Sequence, residues 1–126
     1  MCPVCKEVLI VFELDGVEVD HCVQCRGTWL DWGEWDLISE LAGVKPGRLT
    51  EAIRNGAGTP SKDRRCCRCP AKLHHLRLGE VEIDRCPGNH GVWFDAGEIR
   101  HALTSLDGEE GAAVARHLGK LLHSEL

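Results

Sequence analysis

Cys2-Pro3-Val4-Cys5 and Cys22-Val23-Gln24-Cys25 carry the first recognisable chemistry in this chain. Two residues between paired cysteines let both sulfurs reach one ion from a tight turn. Two such pairs supply four thiolates, the tetrahedral donor set of a structural zinc site. The pattern recurs at an offset of 64, which takes Cys2 to Cys66, Cys5 to Cys69 and Cys22 to Cys86. The same offset takes Trp29 to Trp93, Asp31 to Asp95, Gly33 to Gly97 and Glu34 to Glu98. Such coincidence at one period marks two copies of one metal-binding unit.

The second copy departs at its last ligand. Cys25 aligns with Asn89, a poor zinc ligand, and His90 follows it. An imidazole is longer than a thiol side chain, and Gly88 lets the turn reshape. The expected ligands are therefore Cys2, Cys5, Cys22 and Cys25 for one zinc ion, and Cys66, Cys69, Cys86 and His90 for a second. Cys67 is left over. Arg64, Arg65 and Arg68 surround it in sequence and would favour its thiolate, although an inert turn residue is the simpler expectation.

Around these ligands the chain must supply turns and short strands. Val8 to Leu14 and Val17 to Asp20 read as strands joined by an Asp15-Gly16 turn. Leu73 to Leu78, a Gly79-Glu80 turn and Val81 to Asp84 repeat the hairpin. Asp31 and Glu34 are spaced as a capping box before a helix through Trp35, Leu37, Ile38 and Leu41 that Gly43 ends. Asp95 and Glu98 open its counterpart, running to Leu106. Capping accounts for these carboxylates better than acid–base catalysis, because they stand where a helix starts in both copies.

Fold class and segments follow. The chain is expected to be a small metal-stabilised α+β protein of two tandem zinc ribbons. Each is a β-hairpin with zinc knuckles, followed by a short helix, and an amphipathic helix closes the chain. Residues 1–44 form the first ribbon and its helix. Residues 45–65 form a short helix and a polar linker. Residues 66–106 form the second ribbon and its helix, and residues 107–126 the last helix. That helix has Val114, Leu118, Leu121 and Leu122 on one face, which packs on the ribbons or forms a dimer.

The chain has 126 residues and a formal charge of −5. Each unit is too small to bury a sufficient core, so metal must contribute folding energy. No apolar run approaches the roughly 20 residues of a membrane span. No signal peptide is evident, so paired cysteines point to zinc in a reducing cytoplasm rather than to disulfides. Thiolate charge takes the loaded protein to about −8, which opposes tight binding to a phosphate backbone.

The phrase Cys-Pro-x-Cys, followed by Gly-Val-Glu-Val-Asp-x-Cys-x-x-Cys-x-Gly-x-Trp-Leu-Asp-x-Gly-Glu, resembles the bacterial zinc ribbons of the transcription-factor-IIB type. The resemblance covers residues 2–42. The segment ending Cys-Pro-Gly-Asn-His-Gly-Val-Trp-Phe-Asp-Ala-Gly-Glu is similar to the His-containing form of that module. The resemblance implies zinc binding and a ribbon fold, and it implies transcription by name only.

Comparison of the copies singles out partner positions. Trp32 matches Ala96, and Ile10 and Val11 match His74 and His75. Apolar residues that the sister copy lacks suggest a protein-binding surface at Trp32, Ile10 and Val11. The adjacent histidines face opposite ways along a strand and are expected to be solvated. Lys62, Arg64, Arg65, Arg68, Lys72 and Arg77 form a basic stretch over 62–77, where a weak nucleic-acid contact is conceivable and local compensation of thiolate charge competes with it. The expected function is a recognition or adaptor module, with transcription or another nucleic-acid process as a candidate setting. The alternative is a thiol-redox or metal-handling protein, or an enzyme using the zinc sites. A catalytic zinc keeps an open position; four protein ligands per ion argue for no enzyme.

Overall fold

Gly16 adopts a φ of +81°, the left-handed region that side chains resist. The chain reverses there, and Ile10–Leu14 (β1) pairs antiparallel with Val17–His21 (β2). In β2, Val17, Val19 and His21 are buried while Glu18 is exposed, the period-two pattern of a strand with one covered face. The computed structural model describes residues 1–14, 16–41, 48–78 and 81–98. The hairpin of the second copy is Lys72–Leu78 (β5) with Val81–Arg85 (β6).

Each hairpin gains a third strand, Thr28–Asp31 (β3) in the first copy and Gly91–Phe94 (β7) in the second. Both are nearly fully buried, and they pair with each other. Trp29 stands opposite Trp93, Thr28 opposite Phe94 and Leu30 opposite Val92. The 64-residue repeat exchanges these last two pairs, so a pseudo-two-fold axis passes through the tryptophan pair. The copies meet as the halves of an isologous dimer would, within one chain. One sheet of seven strands results, in the order β1-β2-β3-β7-β6-β5-β4.

The seventh strand is Thr59–Arg65 (β4), which pairs antiparallel with β5. Residues 56–65 were expected to be a polar linker on their Gly, Pro and Ser content. Backbone pairing to the edge of β5 overrides that composition, and a proline is tolerated there because an edge strand leaves half its N–H groups unpaired.

Trp32–Leu41 is the helix α1 and Arg48–Asn55 the helix α2. Helix α1 lies on β2 and β3. From it Trp35, fully buried, stacks on Phe94 of the second copy, with ring centroids 6.2 Å apart and planes 9° from parallel. Helix α2 is held at its end by Arg85, whose Nη1 donates to the carbonyls of Ile53 and Arg54 at 2.8 Å each. The expected helix after the second ribbon is described only as far as Glu98, and the C-terminal helix expected over 107–126 lies outside the described residues.

Trp32 departs from expectation. It is only 6% exposed rather than a surface residue. Its ring meets Trp35 edge-on at 5.9 Å, and the Arg54 guanidinium lies 4.5 Å from its centroid. That guanidinium comes from helix α2. Ala96, its counterpart, is exposed. The extra aromatic volume serves packing inside the chain.

Candidate metal centres

Four turns present the metal donors. In each, the first cysteine donates its backbone N–H to a carbonyl five residues on, as in Cys2 to Glu7 at 2.7 Å and Cys66 to Ala71 at 2.9 Å. Cys22 to Gly27 and Cys86 to Gly91 repeat the bond at 3.0 and 3.1 Å. Inside the turns, backbone N–H groups point at sulfur. Val4 and Cys5 donate to Cys2 Sγ at 3.4 and 3.3 Å, Arg68 to Cys66 Sγ at 3.3 Å, and Gly88 to Cys86 Sγ at 3.3 Å. Such donors stabilise thiolate over thiol. Burial pushes the Cys22 thiol up, but N–H groups of Cys25 and Gln24 outweigh it and bring it to about 7, whereas at Cys66 and Cys25 burial wins and pushes the thiol up to about 12.

The turns bring together all eight expected ligands. Cys2, Cys5, Cys22 and Cys25 form one group, and Cys66, Cys69, Cys86 and His90 another, with donor atoms of each within 4.8 Å of one another. A zinc ion with Zn–S bonds of about 2.3 Å sets its sulfurs about 3.8 Å apart. Cys2 and Cys25 are 3.7 Å apart, as are Cys69 and Cys86. Cys86 Sγ lies 3.3 Å from His90 Nδ1. The donor sets and spacings fit two tetrahedral ions.

The change from cysteine to histidine has a backbone cause. Lys6 and Arg26 follow the last cysteine of their turns and take positive φ, 61° and 64°. Each donates its N–H to the first cysteine's carbonyl, at 3.0 and 2.8 Å. In the fourth turn Asn89 takes that role one residue earlier, with φ 63° and an N–H bond to the Cys86 carbonyl at 3.2 Å. Asparagine tolerates the left-handed region better than most residues. The tighter turn swings Asn89 away and delivers His90 instead.

Around the ligands lies a second pattern that the repeat shares. Trp29 Nε1 donates to Asp31 at 2.8 Å, and Trp93 Nε1 to Asp95 at 3.1 Å. Glu34 accepts the backbone N–H of Glu18 at 2.9 Å, and Glu98 that of Glu82 at 3.3 Å. These carboxylates thus tie strand ends and tryptophans, where a reciprocal capping box was expected.

The carboxylate pair of each copy also holds one guanidinium. Arg68 binds Asp31 through Nε and Nη2 at 3.0 Å each and also reaches Asp20. Arg64 binds Asp84 at 2.7 Å and Asp95 at 3.0 Å. Burial works against the Asp31 carboxylate, yet hydrogen bonds from Arg68 and Trp29 hold it below its ordinary range. Arg68 belongs to the second copy and Asp20 and Asp31 to the first, so this contact also joins the ribbons. Residues 62–77 were expected as a basic patch for nucleic acid or for compensation of thiolate charge. Two of its arginines are bound to carboxylates, Arg64 half-buried and Arg68 still exposed, because folding brings Asp20, Asp31, Asp84 and Asp95 against them. Arg65 is exposed and donates to the Pro70 carbonyl at 2.9 Å. His75 sits 3.3 Å from Asp84.

Cys67 belongs to neither ligand group. Burial pushes its thiol up to about 11 against the pull of Arg68, which favours the inert residue over the thiolate. It lines a groove of about 440 Å³ together with Met1, Pro3, Lys6, Asp63 and Arg65. Ile10 and Val11 are exposed, at 40% and 57%. The carboxylate–arginine brackets went unread in the sequence, although the offset of 64 also relates Asp20 to Asp84 and Gly27 to Gly91.

A family model described as transcription factor zinc-finger matches the chain twice, over residues 1–40 and 65–105. No curated protein and no solved structure matches it.

Proposed function

The chain belongs to the transcription factor zinc-finger family, and from that premise we propose that it is a recognition module whose two zinc ions are structural staples. Each ion would have four protein ligands, which leaves no open coordination position for substrate. The ions would hold the knuckles and let so small a sheet fold. The partner we favour is a protein, met through the β1 face of the first ribbon in the cytoplasm. The observation that carries this reading is the exposure of Ile10 and Val11 in a molecule whose other ribbon has histidines in their place.

Nucleic acid is the weaker candidate. Carboxylates engage Arg64 and Arg68, two of the six cations in the basic stretch, and the net charge of −5 opposes approach to a phosphate backbone. A supporting role in transcription would then pass through protein contacts.

The test compares the zinc-loaded chain with an Ile10→Lys, Val11→Lys variant as bait in extract of the native host. A protein retained by the first, lost by the second and indifferent to nuclease is the expected result. Retention that nuclease abolishes would sink the protein-partner reading.

A further inference from the structure

The two ends of the sheet are not equivalent. Across the pseudo-two-fold axis β1 corresponds to β5. The outer edge of β5 is covered by β4, with Thr59 opposite His75, Pro60 opposite His74 and Arg65 opposite Lys72. The outer edge of β1 has no strand partner among the described residues.

Shifted back by 64, the positions that receive β4 become Val8, Ile10 and Val11. These side chains are 77%, 40% and 57% exposed. They make up half of the large apolar residues exposed among the described residues, the others being Met1, Val4 and Val23. An open edge is a template for strand pairing, and proteins that avoid it place Lys or Pro there. Here the edge carries valine and isoleucine, while the covered edge carries Lys72, His74 and His75.

Charge points to the kind of strand that fits. β4 reads Thr-Pro-Ser-Lys-Asp-Arg-Arg, a basic segment. It places Arg64 on the carboxylate pair of its own ribbon. The first ribbon is acidic, and Glu7 and Glu13 flank the open edge on exposed positions. A second copy of this chain, with a net charge of −5, would bring like charges together there.

We propose that the outer edge of β1 accepts an extended segment of a partner protein as an additional antiparallel strand, one with apolar residues at alternate positions and basic residues between them. This rests on the protein-partner reading above and adds its mode. Main-chain hydrogen bonds would supply affinity, and Val8 and Ile10, two residues apart and so on one face, would select the apolar positions, with Val11 exposed on the other.

Hydrogen exchange on the full-length zinc-loaded chain tests it, with a Lys-Val-Lys-Val-Lys-Val-Lys-Val peptide as the probe. Alone, the outward amides of residues 8–14 should exchange faster than those of β5 at every protein concentration. The peptide should slow them at least tenfold at saturation, and the same peptide with prolines for two central lysines should not. Slow exchange in the free chain overturns the proposal. If it is independent of concentration, the chain covers its own edge; if it grows with concentration, a second copy does. Equal binding of the proline peptide also overturns it, yet leaves a protein-binding surface in place. So does binding of neither peptide at millimolar concentration, and retention from host extract then decides separately whether the partner reading stands.

Discussion

Trp29 and Trp93 lie directly opposite each other on β3 and β7, where the two ribbons join. Each indole occupies space that the other copy keeps free with a glycine. A Cβ on Gly27 would stand 2.1 Å from Trp93 Cζ2, and one on Gly91 would stand 2.9 Å from Trp29 Cζ2 and 2.3 Å from the Leu30 carbonyl oxygen. The junction is therefore reciprocal: Trp93 needs Gly27, and Trp29 needs Gly91. Metal turns hold the far ends of the same residues, since Cys22 and Cys86 bond to the carbonyls of Gly27 and Gly91.

Gly27→Ala and Gly91→Ala should each lower stability by roughly 1–3 kcal/mol, the range for overpacking a tight core. Gly33→Ala is the control, with nothing within 4 Å of its added methyl. As a helix residue it should leave stability unchanged or raise it by up to about 1 kcal/mol. Denaturant melts of the zinc-loaded proteins measure all three. Equal stability of Gly27→Ala and wild type would refute the reciprocal packing.

Metal analysis should return two zinc ions per chain. His90→Ala should lose one, and Asn89→Ala should keep both at a cost of roughly 1 kcal/mol for its left-handed backbone. Asn89→Gly should not carry that cost, because glycine accepts positive φ. Loss of zinc from Asn89→Ala but not from His90→Ala would reverse the assignment of the fourth ligand.

Thiol counting separates a staple from a redox centre. The loaded chain should offer one titratable thiol, Cys67, and react slowly near neutral pH because burial holds it protonated. After chelation all eight cysteines should react, and the circular dichroism of the hairpins should collapse. Five or more reactive thiols with zinc still bound would favour redox or metal-handling work.

Arg68→Gln should destabilise the junction by about 1–2 kcal/mol, as a partly exposed charge-assisted cluster that bridges the ribbons. A double-mutant cycle with Asp31→Asn should return a coupling of similar size. Arg68→Gln should leave nucleic-acid affinity as weak as before. Duplex DNA bound below about micromolar in physiological salt, and lost on changing Arg64, Arg65 and Arg68, would overturn that view.

The sequence by itself determined the ligands, the two copies and the hairpins, including the exchange of Cys25 for His90. These features are local: a C-x2-C turn, a Gly at a reversal and a strand alternation are each set by residues within a few positions of one another. Tertiary structure decided what those units do to each other. The pairing of β3 with β7 depends on two short buried segments meeting across 64 residues, and nothing in either segment names its partner. β4 became a strand because an edge with unpaired backbone groups was waiting for it, although its composition reads as linker. Trp32 is buried with Trp35 against its edge and the Arg54 guanidinium over its ring, contacts that comparison with Ala96 could not reveal. Arg64 and Arg68 became brackets for carboxylates because charges scattered along the chain converge once the sheet closes. Spacing fixes what a residue is able to bind; only the sheet fixes which partner reaches it.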